Sequence, residues 1–192
     1  MRTYLAGPDV FFPDPHGWAA RRAAICRAHG LDPVSPFDPV EEPAGWATLP
    51  EAARIARRNE AHIRSAGAVI ANLTPFRGPS ADVGTVYETG FARALGLPVF
   101  AYSTVATPLA ERTGPGLRDV DGLEIENFGL PENLMIACAV EVFVVQDRPR
   151  WTDLAAFTAC VRFAAARLIG MDYRIQPSAS QIAASSGRPP IG

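Results

Sequence analysis

The sequence predicts an α/β fold class, a doubly wound parallel sheet with helices on both faces. Three observations predict it. Short apolar runs of strand length alternate with longer helical stretches along the chain. Glycines stand just past the ends of the helical stretches, at Gly30, Gly67 and Gly96. The apolar run 68–73 leads through a Gly/Pro loop into a helical stretch at 82–95. That is the βα corner at which open parallel sheets take ligands.

The elements follow in order. Residues 2–6 read as a first strand that ends at Gly7-Pro8. Residues 18–29 are rich in Ala and Arg and read as a helix stopped by Gly30. A short strand covers 31–35, and 36–50 is a loop with several prolines and acids. A helix at 51–65 is followed by the third strand at 68–73, the third helix at 82–95 and a fourth strand at 97–102. Residues 103–129 form a long, glycine-rich excursion, of a length that is often functional inside a compact domain. A short helix with Pro at its start is expected over 131–139, then a fifth strand at 141–145 and a last helix at 151–169. Five strands of this kind suggest a single-domain, flavodoxin-like five-stranded parallel sheet over residues 1–175. Residues 176–192 are Ser, Ala, Gly and Pro with little apolar content and read as a flexible C-terminal tail.

Length and composition narrow the function. A chain of 192 residues, nearly half of them apolar, suits one domain with a full core. A net charge of −2 argues against a nucleic-acid-binding surface. No window reaches the ~20 apolar residues of a membrane span, and no signal segment precedes the first strand, so a cytoplasmic location is the default expectation. Cys26, Cys138 and Cys160 are far apart, fit no metal-ligand spacing and read as buried small apolar residues. No Gly-rich phosphate loop follows a strand, so no NAD, ATP or metal is expected.

Chemistry concentrates at the third corner, in Ser80-Ala81-Asp82-Val83-Gly84-Thr85-Val86-Tyr87-Glu88-Thr89-Gly90. Asp82 and Glu88 stand six residues apart, on different helical turns and separated by roughly 9 Å of rise. Glu88 enters an apolar stretch expected to pack on the sheet, and an acid there is either paired or working. Asp82 also suits a plain N-cap role, and both roles fit if they use different oxygens.

Three separated motifs, in order, give this region a family likeness: Tyr4 through Phe11, Asp82 through Gly90, and Pro131-Glu132-Asn133-Leu134-Met135-Ile136. Together they span roughly residues 4–145, and with them the chain resembles the nucleoside 2'-deoxyribosyltransferase family. The resemblance implies that Glu88 is a nucleophile forming a deoxyribosyl ester that an incoming base resolves with net retention. It implies that Asp82 holds the nucleoside near its base and 5'-hydroxyl, that the Tyr4 hydroxyl supports the carboxylate, and that Phe11 packs on the base. Gly7 lets the backbone pass close to the ligand, and Asp9 beside it is a candidate for touching the base. By the same resemblance, Asn133 and Met135 reach into a neighbouring subunit's site, which implies a homo-oligomer with shared active sites.

The match is not uniform. Some family members carry an aspartate where this chain has Asn72, which puts that acid's protonation role in doubt. An amide still donates and accepts toward a base edge, and this departure resembles the branch that exchanges both purines and pyrimidines. Similar deoxynucleoside 5'-monophosphate N-hydrolases have a phosphate-holding serine at the position of Asp82. A carboxylate repels phosphate and accepts from a free hydroxyl, which favours nucleosides. Ser80 and Arg77 keep a nucleotide substrate in view. The expected partners are therefore 2'-deoxyribonucleosides and free purine and pyrimidine bases, with a hydrolase on the same scaffold and a non-catalytic binding module as competing readings. Asn59 and His62 read as structural.

Overall fold

The structure is a computed structural model and describes residues 1–170; the expected domain limit at 175 and the tail at 176–192 lie outside the described residues. Five strands, β1 (Arg2–Ala6), β2 (Asp32–Val34), β3 (Ala68–Asn72), β4 (Val99–Ser103) and β5 (Val142–Val145), form one sheet in the order β2-β1-β3-β4-β5. Every pairing is parallel. This is the flavodoxin-like order, and its direction of winding reverses between β1 and β3.

Alternation along the strands sorts the core into two layers. Tyr4, Val69, Ala71 and Val99 face one way, with Ile63 of α2 (Glu51–Ser65) and Ala92 of α3 (Val83–Ala94). Leu5, Ala68, Ile70 and Phe100 face the other way, with Cys26 of α1 (Pro15–Ala28) and Phe157 and Val161 of α6 (Ala155–Ile169). A strand buried on both faces needs apolar residues at every position. Ala68-Val69-Ile70-Ala71 supplies them. Near the carboxyl edge of the first layer, Ala6, Ala71 and Ala101 stand side by side across three neighbouring strands.

Several details differ from the sequence reading. The last helix, expected from 151, starts at Ala155, whose N donates to Asp153 Oδ1 at 2.6 Å. The first helix starts earlier, at Pro15, because Asp14 caps it by accepting from Gly17 N at 2.9 Å. The expected helix at 131–139 shrinks to α5 (Leu134–Ala137), because Asn133 is the cap, accepting from Met135 N at 3.0 Å, and Pro131 stays outside. The long excursion holds a one-turn helix, α4 (Leu109–Thr113), and a bridge between Arg118 and Glu124. Cys26 and Cys160 are buried as expected, but Cys138, at the end of α5, is exposed.

The reversal point is tied from below. A Cβ at Gly7 would stand 2.7 Å from Asp9 Oδ2 and 2.9 Å from the Asn72 Cβ, so glycine alone fits this crossing. Asp9, 5% exposed, is ion-paired with the buried Arg22 of α1 and accepts from Asn72 Nδ2 at 3.1 Å. Asn72 Oδ1 in turn accepts from Thr74 N at 3.1 Å. Arg22 lies 4.8 Å from the Phe157 ring, and its Nε and Nη2 have no partner among the described residues. Asp9 is therefore the anion that balances a buried guanidinium. Replacing Asp9 with Ala is expected to cost about 3–5 kcal/mol in urea unfolding, the usual cost of stranding a buried charge. A loss below about 1 kcal/mol would show that Arg22 does not depend on this pair.

Candidate active site

Glu88 projects from the second turn of α3 and is only 8% exposed. Its Oε1 accepts from the Tyr4 hydroxyl at 2.7 Å and from Asn59 Nδ2 of α2 at 3.1 Å. Among the described residues Oε2 has no hydrogen-bond partner. Burial pushes the Glu88 carboxyl up to about 7, reinforced by the Asp82 charge and opposed by the Tyr4 and Asn59 hydrogen bonds. The Tyr4 phenol is driven far above its ordinary value by burial first and by the neighbouring carboxylate second. Behind Tyr4, the His62 ring stacks at 6.2 Å and 18°, and its Nε2 donates to the Asp38 carbonyl at 3.1 Å. Burial lowers the His62 pKa, which keeps the imidazole neutral beside Tyr4.

Asp82 caps α3. Its Oδ2 accepts from Thr85 N at 2.9 Å and from Thr85 Oγ1 at 3.0 Å. Both bonds fall on one oxygen, and Oδ1 is bound by no described residue. The cap role is thus present without using up the carboxylate.

Phe11 is 55% exposed and stacks on Phe76 at 5.5 Å and 17°. Arg77 covers both rings at 4.6 Å, from a left-handed backbone at φ 56° in a turn closed by Phe76 N to Ser80 O at 2.9 Å. Phe11 and Phe76 rim a cavity of about 720 Å³ that continues over Phe12, Trp18 and Trp151. That cavity lies toward α1 and not toward Glu88. Its size is in the range of small-molecule sites, but neither Glu88 nor Asp82 is in its lining, whose acids are Asp14 and Asp153.

The remaining sequence candidates are distributed as follows. Gly7, Asp9 and Asn72 form the tie beneath the reversal point, so the Asp9 carboxylate and the Asn72 amide are already engaged by protein groups. Asn133 donates to Glu126 Oε2 at 2.8 Å within its own chain, while Met135 is 74% exposed. Two residues were missed. Asn59 bonds the central carboxylate, and Glu132 is buried against the loop that carries Asp82. Asn59 had a legible signal, since 59, 62 and 63 share one face of α2 and that face meets the sheet.

Among the described residues no group of three or more His, Cys, Asp or Glu side chains could hold a metal ion, and no helix is long and apolar enough to cross a membrane.

A helix-borne acid at the carboxyl edge of a flavodoxin-like sheet, braced by a tyrosine and an asparagine, is the kind of site that works on glycosidic bonds. The sequence model described as Nucleoside 2-deoxyribosyltransferase matches residues 3–135, and the chain belongs to that family. It is therefore an enzyme of glycosyltransferase type. The chain is similar to a solved structure described as a 2-desoxiribosyltransferase from Leishmania mexicana, with 35% identity, a TM-score of 0.63, and coverage of 83% of this chain and 96% of that one. It is also 28% identical to the uncharacterized protein C191.05c of Schizosaccharomyces pombe, over 86% of this chain and 89% of that protein.

The buried acid has a consequence for stability. With its pKa raised from 4.5 to about 7, Glu88 holds a proton more tightly in the folded chain than in the unfolded one. The stabilisation this gives is complete below about pH 4 and is lost as pH rises through 7. Glu88→Gln, with no charge to bury, is expected to be more stable than the parent by about 2–4 kcal/mol at pH 9 and close to it at pH 4. Denaturant unfolding at the two pH values checks this; equal differences at both would show that Glu88 titrates normally.

Proposed function

We propose that this chain exchanges the base of 2'-deoxyribonucleosides through a covalent deoxyribosyl ester on Glu88. One observation carries the reading: Oε1 is held by two donors while Oε2 has no partner among the described residues. Two donors on one oxygen fix the carboxylate plane and stabilise its charge, so the other oxygen is the one oriented for attack.

Oε2 attacks C1' on the face opposite the base. The N-glycosidic bond breaks, and its electron pair leaves on the base nitrogen. Asp82 Oδ1 shares a proton with the departing base. A second base then attacks C1', the ester bond breaks, and its pair returns to Glu88. Two inversions give retention and ping-pong kinetics. A 2'-deoxy sugar, lacking the electron-withdrawing hydroxyl beside C1', develops positive charge more readily. For Phe11 to offer its aromatic face to a planar base, purine or pyrimidine, beside Glu88, it gives up its stack on Phe76.

The exposed Met135 and the short α5 are placed in a neighbouring subunit's site in this reading, with the protein a homo-oligomer. For Asn133 to touch a sugar there, its amide gives up its bond to Glu126.

The direct test is chromatography of thymidine with free adenine, against thymidine alone. Deoxyadenosine and thymine forming together, with little free deoxyribose, is the expected result. Thymine and deoxyribose released at the same rate without adenine would replace exchange by hydrolysis. Glu88→Ala is expected to lose at least about 10³-fold in kcat, with no sugar adduct in the intact mass after mixing with thymidine. Since Glu88 attacks only when ionised, kcat/KM is expected to rise with pH to a plateau above about 7. Tyr4→Phe removes a bond that favours the charged form, so its rising limb is expected to move to higher pH and its plateau to fall about 10–100-fold. An unmoved limb would detach Tyr4 from the ionisation of Glu88.

A further inference from the structure

Glu132 is 0% exposed, yet it is an acid in a turn between a proline and an asparagine. Its Oε1 accepts from Ser80 Oγ at 2.7 Å and from Asn133 N at 3.0 Å. Its Oε2 accepts from Ala81 N at 2.9 Å and lies 3.6 Å from Arg112 Nη2. Arg112, on α4 in the long excursion, donates to the carbonyls of Pro79 at 2.7 Å, Pro131 at 2.8 Å and Thr107. One desolvated ion pair thus gathers the loop before Asp82, the excursion and the turn before Asn133.

Closing three loops does not require a buried charge. Well-packed apolar side chains do it at no desolvation cost, whereas each buried ion costs several kcal/mol. A carboxylate provides what apolar packing lacks, namely directional acceptors for named donors. Those donors belong to the two residues immediately before Asp82 and to Asn133 itself.

We infer that Glu132 is a positioning residue: it fixes the backbone that presents Asp82 and couples it to the Asn133–Met135 segment, so that the two move as one unit. The inference rests on the proposed base exchange for its catalytic consequence, and on the Glu132 contacts alone for the coupling. If the Asn133–Met135 segment serves a neighbouring site, Glu132 links a carboxylate of one site to a contact of the next.

The test combines a double-mutant cycle with hydrogen exchange on the full chain. Glu132→Gln is expected to lower kcat/KM for thymidine and adenine about tenfold. In the Asp82→Asn background the same change is expected to cost less than about twofold, because the group it positions is already gone. Ser80→Ala, which removes one donor and leaves the ion pair, is expected to lose about threefold with an unchanged unfolding midpoint. In Glu132→Gln the amides of Ala81 and Asn133 are expected to exchange faster together, with the β1 and β3 amides unchanged. An equal loss in both backgrounds, or faster exchange spread over the whole sheet, would overturn the inference and leave Glu132 a general stabiliser. If the parent chain neither exchanges nor hydrolyses any deoxynucleoside, the proposed function fails. The exchange rates at Ala81 and Asn133 then decide the coupling by themselves.

Discussion

A carboxylate taken out of water must be held by something, and much of this molecule is arranged to hold Glu88. Tyr4 reaches it from β1 and Asn59 reaches it from α2, while α3 carries it. These elements meet only because the sheet order places β1 against β3 and because α2 and α3 cover the same face. The hydrogen bonds lower what burial raises, and the carboxyl comes to rest near neutrality. Fewer donors would leave it protonated, and more water would make it an ordinary glutamate.

The second constraint lies under the reversal point. There a buried arginine from α1 meets Asp9 and, through it, Asn72. This pair belongs to the opposite layer from Glu88, and it ties α1 to the segment after β1 and to the last residue of β3. The site is thus supported from below by one charge pair and from the side by another, Arg112 with Glu132. Both are costly in isolation. The first is held by the Asn72 side chain, and the second is surrounded by backbone donors and acceptors of the loops at the carboxyl edge.

Much of the fold was legible in the sequence because parallel strands buried on both faces leave continuous apolar runs, and helices leave glycine stops. What was not legible has local causes. Helix α4 is one turn within a stretch of Gly and charge, too short for periodicity to register. The start of α5 was misplaced because a proline and an asparagine both announce a helix, and the asparagine side chain made the cap. In the site, Tyr4, Asp82 and Glu88 stood out through their motifs. Asn59 reads from its helix face as a structural residue, and only the tertiary fold shows that the atom it holds is the Glu88 carboxylate. Glu132 was read past for a related reason. An acid next to the proline of an expected helix start reads as an ordinary first-turn residue, and only the tertiary fold brings Ser80, Ala81 and Arg112 around it.

The row of Ala6, Ala71 and Ala101 sits on the Glu88 side of the sheet, near the ends of three central strands. An alanine has no rotamers to exchange and no side-chain entropy to lose. Buried beneath α2 and α3, this floor of methyl groups on hydrogen-bonded strands keeps one shape and gives the helix that carries Glu88 a fixed base. If the chain exchanges bases as proposed, adaptation to bases of different outline falls on the loops, above all 74–82 and 103–133. The ordering entropy of binding falls there as well. Under the proposed base exchange, changes that stiffen those loops would raise affinity for one base while narrowing the range accepted, with the strands beneath left as they are.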